Sequence, residues 1–107
     1  KKIIKEDGLI DWHQPAEFIE RQTRAYTPWP SAYTFWQDKR LKIISGALLA
    51  ETTNQPGQLW MTEDKFPAIT TGQGSLKIIR IQPEGKSPIS GADWLRGHPT
   101  LTSAILG

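Results

Sequence analysis

One stretch of the chain, residues 15–26, carries the hydrophobic pattern of an amphipathic helix. At about 100° per residue, one stripe of the helix is charged, with Glu17, Glu20, Arg21 and Arg24. The opposite half is apolar, with Ala16, Phe18, Ile19, Ala25 and Tyr26. Each glutamate precedes an arginine by four positions, the order that stabilises a helix through ion pairs. Pro15 suits the first turn and the prolines at 28 and 30 end the helix.

After residue 32 the pattern changes to short apolar runs separated by polar, Gly- or Pro-containing turns. These runs predict strands at 33–36, 41–50, 58–62, 68–71 and 75–82. The tetrapeptide Leu-Lys-Ile-Ile occurs at 41–44 and again at 76–79. Its adjacent isoleucines break the apolar–polar alternation that is typical of a strand with one solvent-exposed face. This break indicates a bulge or burial on both faces. Gly46, inside the second predicted strand, also favours a bulge or bend.

A capping-box pattern at Ser90-Gly91-Ala92-Asp93 predicts a short helical turn that ends at Gly97. One helix, about five short strands and a final helical turn are typical of a mainly β protein, either a small barrel or a sandwich. Residues 1–9 are charged and end near a glycine, so we expect a linker or edge segment there and a barrel domain over 10–107.

Composition narrows the possible chemistry. The 107 residues suffice for one small domain, and the 37% apolar share is enough for a packed core. The absence of cysteine excludes disulfides, thiolate metal sites and cysteine nucleophiles. Two histidines, His13 and His98, do not make a histidine-rich metal centre. We interpret the first as a solvent-facing residue before the helix and the second as a loop residue.

Charge and hydropathy limit the partners. The formal net charge of +2 is weaker than that of a typical nucleic-acid-binding domain, so any nucleic-acid contact must come from local clustering. No apolar run approaches the about 20 residues of a membrane span, and no signal peptide is visible, so we expect no membrane partner. The first residue is lysine, which leads us to expect a piece of a longer protein.

The sequence contains no Gly-x-Ser-x-Gly turn, phosphate loop or dinucleotide fingerprint, so no catalytic residue is proposed. Five tryptophans suggest either core anchors or base stacking. Trp12 and Trp29 flank the helix and are expected to be structural, whereas Trp36 and Trp60 lie on strands of unknown register. If both Leu-Lys-Ile-Ile strands lie on one wall, Lys42 and Lys77 would share a face.

Two blocks of the sequence resemble the C-terminal domains of the methionyl-tRNA formyltransferase family. The first block, in residues 5–35, contains Ile10-Asp11-Trp12, Pro15-Ala16, Arg24-Ala25, Pro28-Trp29-Pro30 and Ala32-Tyr33-Thr34. The second contains Ile81-Gln82-Pro83-Glu84-Gly85-Lys86 and Ser90-Gly91-Ala92-Asp93-Trp94-Leu95-Arg96-Gly97. The family usually has Gly, Met and Phe at the positions of Ser31, Ile89 and Trp94, and often a small hydroxyl residue at that of His13. These departures affect packing more than role.

The resemblance implies an open Greek-key barrel, similar to an OB-fold, with a helix at its start and a short helical turn near its end. It also implies a module that docks initiator Met-tRNA by contacts with phosphates. A separate N-terminal Rossmann-like domain would bind 10-formyltetrahydrofolate and hold the catalytic residues, so this chain alone is expected to be inactive and to bind no cofactor. The expected compartment is the bacterial cytoplasm or an organelle. The basic residues proposed to meet tRNA are Lys1, Lys2, Lys5, Arg24, Lys42, Lys77 and Lys86.

Two other functions remain open at this point. The same barrel, in a sugar-nucleotide formyltransferase or a formyltetrahydrofolate hydrolase, would be a structural or interface element with no tRNA role. Such a domain would expose an apolar patch. A small oligonucleotide- or sugar-binding barrel would instead place Trp36 or Trp60 on an open face beside Lys42 and Lys77.

Overall fold

The computed structural model describes residues 4–27, 29–98, 100–101 and 104–107. A short 3-10 helix at Lys5–Gly8 precedes the predicted helix, which forms at Ala16–Ala25 (α1) with Pro15 at its N-cap. The predicted charged stripe is confirmed, because Arg21 pairs with Glu17 and Arg24 with Glu20. Residues 5–8 therefore have a defined structure within the segment expected to be a linker.

The apolar half of α1 is only partly buried, which corrects one sequence expectation. The residues of α1 that pack against the sheet are Ala16, Ile19 and Thr23, spaced as one helical face. Phe18 lies about 100° around the helix from Ile19 and remains 50% exposed. The interpretation of Trp29 as a structural anchor is also wrong, because this side chain is 60% exposed.

Six antiparallel strands form one sheet. Their bounds are Ala32–Trp36 (β1), Lys39–Leu49 (β2), Leu59–Met61 (β3), Pro67–Thr70 (β4), Ser75–Pro83 (β5) and Ile89–Ser90 (β6). The strand order is β1-β2-β5-β4-β3, with β6 paired to β5. The consecutive strands β3, β4 and β5 are neighbours, and β2 lies beside β5, which is the Greek-key arrangement. The mainly β prediction with one starting helix is confirmed.

Two local features define β2, which begins two residues earlier than predicted, at Lys39. The strands β1 and β2 meet in a two-residue turn at Gln37 and Asp38, both with positive φ, as the tight hairpin turn that fits strand twist requires. The register between β2 and β5 shifts on both sides of Ser45 and leaves Ile44 without a partner. The bulge expected at the Leu-Lys-Ile-Ile repeat therefore exists in β2.

The C-terminal tail connects the two outer strands of the sheet. Leu59 N–H donates to Ala104 O, and Leu106 N–H donates to Gly57 O, each at 2.8 Å. On the other side, Gly107 N–H donates to Phe35 O at 2.9 Å. Residues 104–107 thus lie between β3 and β1 and satisfy edge groups that an open sheet would leave unpaired.

The final helical turn forms at Gly91–Arg96 (α2). Ser90 Oγ accepts from Asp93 N–H at 3.0 Å, as predicted, while the carboxylate of Asp93 pairs with Arg96. Buried residues of both helices and of the tail join those of the strands in one core. The core cluster there contains Ile10, Trp12, Ile19, Ala32, Leu41, Ile43, Leu59, Ile69, Leu76, Ile78, Ile81, Trp94, Leu95, Leu101 and Leu106.

Candidate nucleic-acid interface

The basic residues proposed from the sequence do not converge on one site. Lys1 and Lys2 lie outside the described residues. Lys5 is exposed on the 3-10 helix, beside the N-terminal end of β1, because Leu9 bridges to Tyr33. Arg24 is exposed near the end of α1, and its Nε donates to both carboxylate oxygens of Glu20, at 2.9 and 3.1 Å. Its charge is already compensated.

Lys77 also has its own partners. Its Nζ lies 2.6 Å from Asp64 Oδ2 and 4.5 Å from the centroid of the Phe66 ring, and its side chain is only 19% exposed. The hydrogen bond from Lys77, followed by that from Thr62, holds the pKa of Asp64 below its usual value. The charge of Lys77 is therefore paired with Asp64 within the domain.

Lys42 and Lys77 lie on neighbouring strands but not next to each other. Lys42 is opposite Gln82, whereas Lys77 is opposite Ala47. Five positions along β2 correspond to about 16 Å. Both side chains alternate with buried residues and so face away from the core, but the structure separates them.

Four other cations lie at the end of the sheet where the β1–β2 hairpin meets the β5–β6 connection, Arg40 and Lys42 beside one groove and Lys39 and Lys86 beside a second cleft. Glu84 N–H donates to Arg40 O at 2.9 Å, and Arg40 N–H donates back to Glu84 Oε1 at 3.0 Å. Gln82 Nε2 donates to Lys86 O at 2.9 Å and fixes the following turn. We call this surface the basic ridge; its cations are Lys39, Arg40, Lys42 and Lys86.

The lysines of the basic ridge are available for a ligand. Among the described residues, no ion pair involves Lys39, Lys42 or Lys86. The guanidinium of Arg40 lies 5.0 Å from the centroid of the Tyr33 ring, and its Nε is buried without a hydrogen-bond partner in the described part of the chain. An open groove of about 400 Å³ runs between Arg40, Lys42 and the turn Pro83–Gly85.

This arrangement suits an anionic backbone better than a chemical reaction. Lysine ammonium groups on a surface groove contact phosphates without reading sequence. Within the described ranges, no group of three His, Cys, Asp or Glu side chains is placed to hold a metal ion. His13 is exposed, as expected, and its imidazole contacts Asp11 Oδ1 at 3.1 Å. Among the helices that the structure describes, none is long and apolar enough to span a membrane.

Sequence reasoning named Lys42 and Lys86 but left Lys39 and Arg40 out of the proposed site. Their positions depend on the two-residue turn at Gln37 and Asp38, which brings the start of β2 next to the turn after β5. The signal available in the sequence was the run Lys39-Arg40-x-Lys42, whose first two residues lie between the predicted strands 33–36 and 41–50.

Fold and surface together define a small antiparallel β domain with a helix at its start and a basic ridge at one end. The chain belongs to the family of formyl transferase C-terminal domains, whose family model matches residues 2–99.

Curated relatives agree with this family. The methionyl-tRNA formyltransferase of Roseiflexus sp. (strain RS-1) is 50% identical over 99 residues, which are 91% of this chain and 30% of the relative. That of Nitrosococcus oceani is 42% identical over 106 residues, 98% of this chain and 32% of the relative. This chain therefore spans about a third of the length of these relatives.

Solved structures support the fold alone. HypX from Aquifex aeolicus in complex with tetrahydrofolic acid matches 88% of this chain and 17% of its own, with a TM-score of 0.71 and 21% identity. A variant of the same protein matches 95% of this chain and 19% of its own, with a TM-score of 0.72 and 19% identity.

Proposed function

We propose that this chain is the tRNA-docking C-terminal domain of a methionyl-tRNA formyltransferase. The whole protein would transfer a formyl group from 10-formyltetrahydrofolate to initiator Met-tRNA, in the bacterial cytoplasm or an organelle. The similarity to curated methionyl-tRNA formyltransferases over 91% of the chain supports this assignment. The docking role is supported by the basic ridge. Its lysines, Lys39, Lys42 and Lys86, form no ion pair with any residue that the structure describes.

The chemical step belongs in this proposal to a separate N-terminal catalytic domain. A folate site needs several polar groups that converge on the pterin ring. The buried polar atoms without partners in the described residues are Gln22 Oε1, Arg40 Nε and Thr70 Oγ1, which lie on three different elements. These residues do not fit a folate. The purified chain alone should form no formyl-Met-tRNA; product above background would contradict this division of labour.

The docking proposal is tested by the binding of the purified chain to initiator tRNA across a salt series. Phosphate contacts release counterions, so the affinity should fall steeply with salt, with a log–log slope that corresponds to about two to four contacts. An affinity that does not change with salt, or no binding at low salt, would contradict docking by the basic ridge.

A double variant assigns the binding to the basic ridge. Lys42→Ala with Lys86→Ala should reduce the salt slope by about two contacts and weaken binding at low salt. Lys65→Ala is the control, because Lys65 is an exposed lysine in the β3–β4 turn outside the basic ridge. Lys77→Ala should behave like the control in binding, since the charge of Lys77 is held by Asp64. Equal losses in all three variants would indicate bulk charge rather than a site.

A second role, as an interface element, is favoured by the outer face of α1. Phe18 is 50% exposed and lines a groove of about 250 Å³ with Ala25 and Tyr26, beside the polar side chains of Asp7, Arg21 and Gln22. This face would pack against the catalytic domain in the longer protein. Phe18→Ser should leave tRNA binding by the isolated chain unchanged and lower the melting temperature of the full-length enzyme. An unchanged melting temperature would remove the support for this role.

A further inference from the structure

A cleft lined by described residues lies beside the basic ridge and has an aromatic wall. Its volume is about 470 Å³, within the range of small-molecule sites. Trp36, Trp94 and His98 line one side, and Lys39 and Lys86 lie at the rim. We call this site the aromatic cleft.

The aromatic wall has a fixed geometry. The Trp36 ring is perpendicular to both neighbours, with centroids 6.3 Å from Trp94 and 5.7 Å from His98. Nδ1 of His98 lies 2.8 Å from Trp94 O. Because a carbonyl only accepts, Nδ1 carries the proton, which leaves Nε2 without a described partner. Trp94 is buried and supports the wall, whereas Trp36 is half-buried and His98 is exposed.

The charges at the cleft favour an anion. Two carboxylates also line it: Asp93 pairs with Arg96, whereas Glu84 accepts from the neutral backbone N–H of Arg40 and keeps its charge, so the two lysines at the rim outnumber it. Lys39 and Lys86 have no ion pair among the described residues. A ligand that enters the cleft therefore meets unpaired cations at the rim and aromatic rings inside.

We propose that the aromatic cleft binds a nucleotide, with the base against Trp36 and His98 and the phosphate near Lys39 and Lys86. A base offers a flat π-face that stacks on aromatic side chains whatever its sequence, and its phosphate matches the lysines. An unpaired nucleotide of an RNA and a free nucleotide share this chemistry. Binding of an RNA nucleotide rests on the proposed function, whereas binding of a free nucleotide does not.

The test compares three probes on this chain by fluorescence anisotropy or calorimetry: a single-stranded oligoadenylate of five nucleotides, a blunt RNA duplex and AMP. Trp36→Leu keeps an apolar side chain against the core but removes the ring. It should weaken oligoadenylate binding by at least about fivefold, the lower end for loss of one stacked base. Duplex binding should not change, because paired bases are not available to the cleft. His98→Ala, at an exposed position, tests the same wall with less risk to folding.

Trp29→Leu is the matched control, because Trp29 is 60% exposed and lies outside the cleft. In NMR spectra, oligoadenylate should move the indole N–H signal of Trp36, assigned by its loss in Trp36→Leu. If the same variants also weaken AMP binding, the cleft is a free-nucleotide site as well. If oligoadenylate binds and AMP does not, the nucleotide comes from RNA.

The outcomes separate this inference from the proposed function. If initiator tRNA binds with a steep salt dependence but neither Trp36→Leu nor His98→Ala affects oligoadenylate binding, the cleft proposal is wrong and docking stands. If tRNA does not bind but oligoadenylate binding depends on Trp36, docking is wrong and the nucleotide site stands. An equal loss in Trp29→Leu would overturn the assignment to the cleft.

Discussion

The indole N–H of Trp12 donates a hydrogen bond to Thr34 Oγ1 at 3.0 Å inside the core. Trp12 precedes α1 and Thr34 is in the centre of β1, so this bond fixes the entry to the helix against the first strand. Ile10 N–H donates to Tyr33 O at 2.8 Å and extends the same connection along the strand edge.

Trp12→Phe should destabilise the domain by about 1–3 kcal/mol. The change leaves the buried hydroxyl of Thr34 without the indole donor and removes part of a side chain that is only 4% exposed. The measurement is urea unfolding followed by circular dichroism. Trp29→Phe is the control and should change the free energy of unfolding by less than about 0.5 kcal/mol, because Trp29 is 60% exposed. Equal effects would show that the Trp12–Thr34 bond is not important for stability.

Most of the sheet could be predicted because its signals are local. The polar residues 37–40 mark the hairpin turn, although β2 already begins at Lys39, and the isoleucines at 43 and 44 mark the bulge of β2. The strand pairing of the tail could not be predicted, because residues 104–107 form single backbone bonds to distant segments and carry no alternating pattern. The exposure of Phe18 was missed because a helical wheel does not show how wide the contact with the sheet is.

The candidate site was harder to predict, because the partners that pair with a basic side chain, and so make it unavailable to a ligand, are distant in sequence. Asp64, thirteen positions before Lys77, uses the charge of that lysine, and nothing local indicates it. The basic ridge needs β2 beside β5, a non-consecutive pairing that only the Greek-key order supplies. Arg24 is the exception, since its helical spacing from Glu20 already predicted the ion pair.

Leu106→Ala tests whether the tail contributes to the core. Leu106 is 4% exposed and belongs to the core cluster, so its truncation should cost about 2–5 kcal/mol in unfolding free energy. Its neighbour Ile105 is 54% exposed, and Ile105→Ala should cost less than about 0.5 kcal/mol. Thermal unfolding of the pair gives the comparison. Two equally mild variants would mean that the sheet is stable without the tail.

Gly91→Ala tests the close approach of α2 to β5. A Cβ on Gly91 would lie 1.9 Å from the carbonyl oxygen of Ile78, which is backbone and has little freedom to move. We expect a loss of about 3 kcal/mol or more, or a failure to fold, since overpacking against a rigid group forces the helix away.

Gly97→Ala provides the control at the other end of α2. The nearest atom to its added Cβ is Asp93 O at 3.6 Å, and its φ of −78° suits any residue. The melting temperature of Gly97→Ala should stay within a few degrees of the parent value. If Gly91→Ala were as stable as Gly97→Ala, the packing of α2 on β5 would be looser than the structure shows.

Asp64→Asn tests the ion pair that holds Lys77, through the pH dependence of stability. The pKa of Asp64 is below its usual value of 3.8 in the folded state, first because of the hydrogen bond from Lys77 and then because of that from Thr62. A lowered folded-state pKa stabilises the protein above the unfolded-state pKa, and that contribution is lost as the pH falls through the lower folded value. The variant should therefore have a lower free energy of unfolding than the parent at pH 7. This difference should shrink from about pH 4 downwards. Urea unfolding at pH 7, 4 and 2.5 measures it, with Glu63→Gln in the same turn as the control. A difference that stays constant across this range would show that Asp64 acts through packing and not through its charge.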